Sequence, residues 1–251
     1  MRADMRTVLN AGRGPAFTPL DLGEALHDLW DAERGGDLTL SGGAVTAWAS
    51  ARNGYLAVQA TSAARPLWSA TGFNGRPGVS FDGIDDELTY EGVGLFPIGA
   101  TPCEIWWLGS QDAPASDTGV RYAFAYGGGG TSVNRALRRS VPFGNNAANA
   151  NVGSGSVVTV SSAPGNYDGR CVHRLVVGAA GSRVDLNGVA GSTTGVVPAT
   201  TGVRTRLGAS TAAAAGGFLQ GVTSLVAVTA LLSDPQASRM LGWLKARGGI
   251  A

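Results

Sequence analysis

The run Arg183-Val184-Asp185-Leu186-Asn187-Gly188 decides the fold. Val184 and Leu186 alternate with polar neighbours, so in an extended chain both point to one side, and that side is the core. Asn187-Gly188 supplies the positive φ values that a two-residue hairpin turn requires. A strand ending in a tight turn is thus written in six residues. Outward from it the same character recurs in Val172 to Gly178, Ala44 to Ser50, Pro77 to Phe81, Glu87 to Glu91, Cys103 to Ser110, Arg121 to Tyr126, Ser156 to Ser161, Arg204 to Gly208 and Gly221 to Ala230. Each is a short apolar or alternating run broken by Gly, Asn, Asp or Pro, the spacing of a sandwich or jelly roll. Composition agrees: 39 of 251 residues are glycine and only 15% are charged, against a usual quarter or so. Many turns and few solvated helices follow.

One segment has helical spacing. Ser233-Asp234-Pro235-Gln236 offers a capping Ser with Gln three residues on, an acid in the first turn and a proline where its missing N–H is harmless. Ala237, Met240, Leu241 and Leu244 then form an apolar stripe, Lys245 and Arg247 occupy the last turn, and Gly248-Gly249 supplies a left-handed stop. A lone amphipathic helix closing an all-β chain must lie against the sandwich as a lid or brace. The expected architecture is an all-β, two-sheet antiparallel jelly-roll sandwich over residues 18–251 with one C-terminal helix, preceded by an arm, residues 1–17, without sustained period.

The formal net charge of +1 argues against nucleic acid as a partner, which needs a concentrated field of Lys and Arg. The richest basic run, Arg135, Arg138 and Arg139, reads as a solvated face. No stretch approaches the roughly 18 apolar residues of a spanning helix, so no membrane insertion is expected. Residues 1–15 lack the apolar core of a secretion signal. Cys103 and Cys171 are the only cysteines, each inside an apolar run, and read as buried free thiols. Gln111 to Gly119 and Gly127 to Ser132 read as long loops, where sandwiches carry variable contacts.

Chemistry is sparse. With two histidines, a nucleophilic triad would need His27 or His173, and neither lies in a nucleophile-elbow context. Cys171 and His173 share a strand face, but a satisfied strand histidine is the plainer reading. Asp82, Asp85 and Asp86 read first as turn formers, then as a hard-cation site for calcium with further oxygens from elsewhere, and last as catalytic carboxylates. No cofactor is required. Of the six tryptophans, Trp30, Trp48 and one of Trp106 and Trp107 read as core, which puts the other of that pair on an outer face. Tyr55, Trp68, Trp107, Tyr122 and Tyr126 are the candidate ligand-contacting aromatics, since a flat ring packs on the apolar face of a sugar.

Leu29-Trp30-Asp31-Ala32, Val45-Thr46-Ala47-Trp48 leading to Asn53-Gly54, Asn74-Gly75-Arg76-Pro77-Gly78-Val79-Ser80-Phe81-Asp82-Gly83-Ile84-Asp85-Asp86, and Leu232-Ser233-Asp234 with its helix come in an order that resembles the concanavalin A-like, laminin-G-like domains of phage structural and bacterial surface proteins. Relatives often carry W-x-D-x-S-G-N-G after the second Trp, where this chain has Trp48-Ala49-Ser50-Ala51-Arg52-Asn53-Gly54, without the acid. The resemblance implies glycan binding on a concave face or edge loops. The function expected from it is a non-enzymatic, virion-associated recognition module, such as a head or tail fibre or a decoration. It would dock through residues 1–17 to other virion proteins on the particle exterior and bind host cell-surface polysaccharide as a homo-oligomer such as a trimer. A purely structural virion role is the alternative, glycan cleavage the lesser one, and a bacterial cell surface the alternative location.

Overall fold

The computed structural model describes residues 17–92, 96–112, 120–128, 134–140, 147–152, 157–159, 169–193, 195, 200, 204–211 and 217–251. Seventeen strands and one α-helix are found there. In chain order the strands are β1 (Leu26–Asp31), β2 (Leu38–Ser41), β3 (Ala44–Ala49), β4 (Leu56–Val58), β5 (Leu67–Phe73), β6 (Arg76–Asp82), β7 (Leu88–Glu91), β8 (Cys103–Gln111), β9 (Val120–Gly127), β10 (Asn134–Ser140), β11 (Ala147–Val152), β12 (Val157–Thr159), β13 (Arg170–Gly178), β14 (Gly181–Leu186), β15 (Val189–Ala190), β16 (Arg204–Leu207) and β17 (Gln220–Thr229), followed by α1 (Asp234–Gly248).

All the paired strands are antiparallel, and they form two layers. The first runs β2-β3-β4-β7-β16-β9-β10-β11-β12. The second is centred on β17, which pairs with β8 along one edge and shares the other between β1 and β6; β8 continues to β13, β14 and β15, and β6 to β5. A single bridge between Ala44 and Leu67 stitches the layers at one side. Between them lies the main core, with Trp30, Trp48, Trp107, Phe81, Phe124 and Tyr126 at its centre. Each indole buried there removes about 200 Å² from water, worth roughly 5 kcal/mol before entropy is charged against it.

The resulting all-β sandwich with one C-terminal helix is the architecture expected from the alternation. The hairpin at Asn187-Gly188 forms with φ of 49° and 89° between β14 and β15. In α1, Gln236 Oε1 accepts the Ser233 N–H at 3.1 Å, closing the capping box, and Gly249 ends the helix at φ 61°. Ala237, Met240 and Leu244 are buried in a second core with Trp106, Leu108, Val172, Leu225 and Ala227, on the outer side of the second layer. The helix is therefore a brace over that sheet.

Several expectations change. Both Trp106 and Trp107 are buried, at 1% and 0% exposure. Adjacent strand residues do face opposite ways, but β8 is central and both its faces are covered, one by the opposing layer and the other by α1 and its packing. The basic run is no solvated face either: Arg135 is fully buried and Arg138 half-buried, while the side chain of Arg139 lies outside the described residues. Arg135 donates to the carbonyls of Gly99 and Thr101, to Tyr126 Oη and to Cys103 Sγ. Strands β2, β4, β5, β10, β11 and β15, and β1 with its apolar run, add to those expected: most are short or polar and pair with their neighbours in the chain, whereas β1 pairs with the distant β17. The expected arm, residues 1–17, lies outside the described residues except for Phe17, and so do 113–119 and 129–132 of the two expected loops.

The turn after β3 shows what replaces the missing acid. Asp28 of β1 is fully buried, and its carboxylate accepts hydrogen bonds from Ser50 Oγ at 2.8 Å, Asn53 Nδ2 at 3.0 Å and the Arg52 backbone N–H at 3.2 Å. A strand of the opposite layer supplies the carboxyl group that holds the turn.

Candidate functional site

A groove of about 510 Å³ crosses the outer face of the first layer, lined by residues of β4, β7 and β16 and the segments beside them. Strand alternation builds it. In β4, Leu56 and Val58 flank the buried Ala57 and are left 47% and 44% exposed. In β7, Leu88 enters the core while Thr89 and Glu91 face out, and in β16 Thr205 and Leu207 are buried while Arg204 and Arg206 face out. Arg204 is the register partner of Glu91, and their side chains form an ion pair. Arg206 Nη1 lies 3.1 Å from Glu87 Oε2 and also donates to the Ser210 carbonyl at 3.0 Å. Gln59 Nε2 donates to the Glu87 carbonyl at 3.3 Å.

The Glu87–Arg206 contact is an ion pair without hydrogen-bond geometry. Glu87 Oε2 and Arg206 Nε are both shut off from water, and neither has a hydrogen-bond partner among the described residues. Leaving such atoms unsatisfied costs about 1–3 kcal/mol each. Burial raises the Glu87 carboxyl above its ordinary range; the Arg206 and Arg204 charges act against that rise, and Glu91 and Asp85 add to it. One acceptor, one donor and a rim of exposed aliphatic side chains are the elements that hold an amphipathic, hydroxyl-bearing molecule.

Glu87 follows directly on the acidic turn. Asp82, Asp85 and Asp86 do converge, each offering a carboxylate oxygen within 4.8 Å of the others. Asp82 Oδ1 accepts the Ile84 N–H at 2.8 Å, and Asp86 Oδ2 accepts the Asp82 N–H at 3.0 Å. Arg121 donates to the Gly83 carbonyl in the same turn. The turn-forming role is therefore realised, and the three oxygens are hard donors of the kind calcium takes, though that ion wants six to eight. Burial, with the repulsion of Asp82 and Asp85, pushes the Asp86 carboxyl up to about 6. Folded Asp86 thus keeps its proton at a pH where the unfolded chain has released it, so acidification from pH 7 towards 4 favours the fold at this residue. Asp86→Asn is expected to raise Tm above pH 7 and to remove this rise between pH 6 and 4; a Tm–pH curve parallel to that of the unmutated chain contradicts the assignment.

Of the five expected aromatic contacts, Trp107, Tyr122 and Tyr126 are buried and do not reach the surface. Tyr122 lies beneath Arg138, whose guanidinium is 5.9 Å from its ring, and Tyr126 is sealed by Arg135. Trp68 is half-buried, with its indole N–H on the Ala32 carbonyl at 3.3 Å. Tyr55 is half-buried too, its ring 5.3 Å from that of Tyr90, which lines the groove. Leu56, Val58, Glu87, Glu91, Arg204 and Arg206 escaped the sequence reading because their juxtaposition depends on pairing β7 with β16 across more than a hundred residues.

By sequence, no protein-family description and no curated protein matches the chain. By structure, the Trypanosoma rangeli sialidase in complex with a 2,3-difluoro-nononic acid is similar over 94% of this chain and 36% of that one, at 13% identity and a TM-score of 0.60. Domain 4 of AbnA, a GH43 extracellular arabinanase from Geobacillus stearothermophilus, in complex with arabinotriose, is similar over 87% of this chain and 97% of that one, at 13% identity and a TM-score of 0.55. An arabinofuranosidase complexed with arabinofuranosyl-α-1,2-xylobiose matches over 81% and 51%, again at 13% identity and 0.55. The chain spans about a third of the length of the sialidases it matches. These likenesses establish the antiparallel sandwich. They also correct the expectation of a non-enzymatic virion module, because the neighbours are glycoside-cleaving enzymes or a domain of one, and they lend the virion, phage and fibre reading no support.

Proposed function

We propose that this chain works in glycan cleavage, as the sandwich that seats a sugar chain for a glycoside hydrolase, and that the groove over β4, β7 and β16 is the seat. The observation that carries the reading is the Glu87–Arg206 ion pair, whose Oε2 and Nε atoms have no hydrogen-bond partner among the described residues, beside exposed Leu56 and Val58. A single sugar hydroxyl can accept from the guanidinium and donate to the carboxylate once the pair turns toward the groove, while the aliphatic rim meets the ring's C–H face. The sialidase, arabinanase and arabinofuranosidase likenesses support the setting. Glu87 and Glu91 are four residues apart along an extended chain, about 13 Å at the backbone, whereas cleavage between two carboxyls needs about 5 to 10 Å. Glu87 and Glu91 are accordingly a pair that holds the sugar and not the pair that cleaves it. In finer detail we read the sandwich as concanavalin A-like.

Calorimetric titration with arabinotriose, arabinofuranosyl-xylobiose and sialic acid tests the seat. At least one is expected to bind, with a ten-fold or greater loss on Leu56→Asp or Arg206→Met. Reducing-sugar release from arabinan or a sialylated glycan measures cleavage itself. Binding that ignores both substitutions removes the groove from consideration.

A further inference from the structure

We infer that a second pocket, between the outer face of the second layer and the start of α1, is a sugar-binding site that takes one ring of a neutral glycan. This goes beyond the groove and does not depend on it. The pocket has a volume of about 220 Å³, and its walls include Trp106, Arg174, Asp185, Asp234, Ser238 and Leu241. That is the liquid share of about seven waters, room for a single sugar ring.

The cavity is held open by its walls. Arg174 lies over the Trp106 ring at 4.7 Å and cannot fold into the space, because its guanidinium is bound on two sides. Glu104, 1% exposed, accepts from Arg174 Nε at 3.1 Å and Nη2 at 2.6 Å, from Trp106 Nε1 at 3.0 Å and from the Leu232 N–H at 3.2 Å. Asp185, 5% exposed, accepts from Arg174 at 3.3 Å and Arg183 at 2.9 Å. On the far wall Gly188 has φ 89°, and a Cβ there would stand 2.7 Å from Leu241 Cδ2. The hairpin turn therefore sits close against the helix and leaves the pocket between them unfilled.

The lining selects the ligand's chemistry. Three of the five Arg174 N–H groups are directed at Glu104 and Asp185, and the other polar groups lining the cavity are mainly acceptors: the Asp185 and Asp234 carboxylates, with the Ser238 hydroxyl. A guest must donate, as sugar hydroxyls do, while Leu241 with its apolar neighbours Val172 and Ala237 meets C–H groups. With two carboxylates, Asp185 and Asp234, in its lining against the single Arg174 guanidinium, the cavity disfavours an anionic guest. The helix N-terminus would favour negative charge, but Asp234 already occupies its first turn.

The test is an NMR titration of the full chain with arabinose, xylose, galactose, glucose, arabinotriose and sialic acid, following the Trp106 indole and the amides of 185–188, 234 and 236–238. At least one neutral sugar is expected to shift these signals and sialic acid to leave them still. Ser238→Phe, at an exposed helix position, fills the mouth and is expected to weaken the effect ten-fold or more with helical content unchanged. Equal affinity for a monosaccharide and the trisaccharide identifies a lone ring as guest, and a ten-fold preference for the trisaccharide identifies a chain end; both uphold the site. No shift with any neutral sugar, a sialic acid shift as large as theirs, or shifts that survive Ser238→Phe overturn it. Signals of Leu56, Val58 and Thr89 report the groove separately, so either site can fail while the other stands.

Discussion

Asp31→Ala is expected to cost about 3–5 kcal/mol of stability, the usual penalty for stripping one partner from a buried ion pair. Arg247, in the last turn of α1, has a side chain only 3% exposed and donates from Nη1 to Asp31 Oδ2 at 2.9 Å and from Nη2 to the other oxygen. Its remaining contacts, the Ser224 carbonyl at 3.3 Å, Glu33 at 3.4 Å and the Trp243 ring at 5.2 Å, do not replace a bidentate carboxylate. Without Asp31 the buried guanidinium keeps a carbonyl, an indole and one monodentate contact to the part-exposed Glu33. Urea unfolding should show a lower midpoint at unchanged m, and Tm should fall by roughly 10 °C for a chain this size. The double variant Asp31→Leu with Arg247→Met removes both charges together and should regain most of the loss. A single variant as stable as the parent, or a double variant no better than the single, argues against this bond as the anchor of the helix.

The second large effect is acid lability through His173. This residue is fully buried in β13 with its ring 5.3 Å from that of Trp107, and burial lowers its pKa to about 3. Folded His173 therefore stays neutral while the unfolded chain takes up a proton below about pH 6.5. Stability is fully present above that pH and is lost progressively down to about pH 3, by about 4–5 kcal/mol over the window. His27, lowered by burial and by Arg52, acts in the same direction; Asp86 acts in the opposite one. His173→Gln is expected to flatten the curve of unfolding free energy between pH 6.5 and 3, whatever its effect at pH 7, because the readout is the slope. An undiminished slope in that variant assigns the lability to other groups.

What could be read from the residues was local. The hairpin at Asn187-Gly188, the capped helix from Ser233 and the strands with strong alternation depend on neighbours within ten residues, and so does the acidic turn at Asp82, Asp85 and Asp86. Burial depended on layers. Trp107 and Tyr126 carry no mark that distinguishes a core ring from a ligand platform, and the arginines at 135 and 138 look like any surface run until β10 is placed beside β9. The groove was hidden for the same reason: Arg204 and Glu91 are cross-strand partners only because β16 lies between β7 and β9. The missing acid after Trp48 likewise became intelligible only when Asp28 arrived from another strand.

The position of β17 bears on how the molecule is made. It is the shared plank of β1, β6 and β8, yet it follows all of them in the chain, so during vectorial synthesis those three wait with open backbone edges until residues 220–229 emerge. Open edges invite mispairing and non-local closure is slow. The second layer consequently assembles late, and while the polypeptide is still growing its edges are what a chaperone would have to shield.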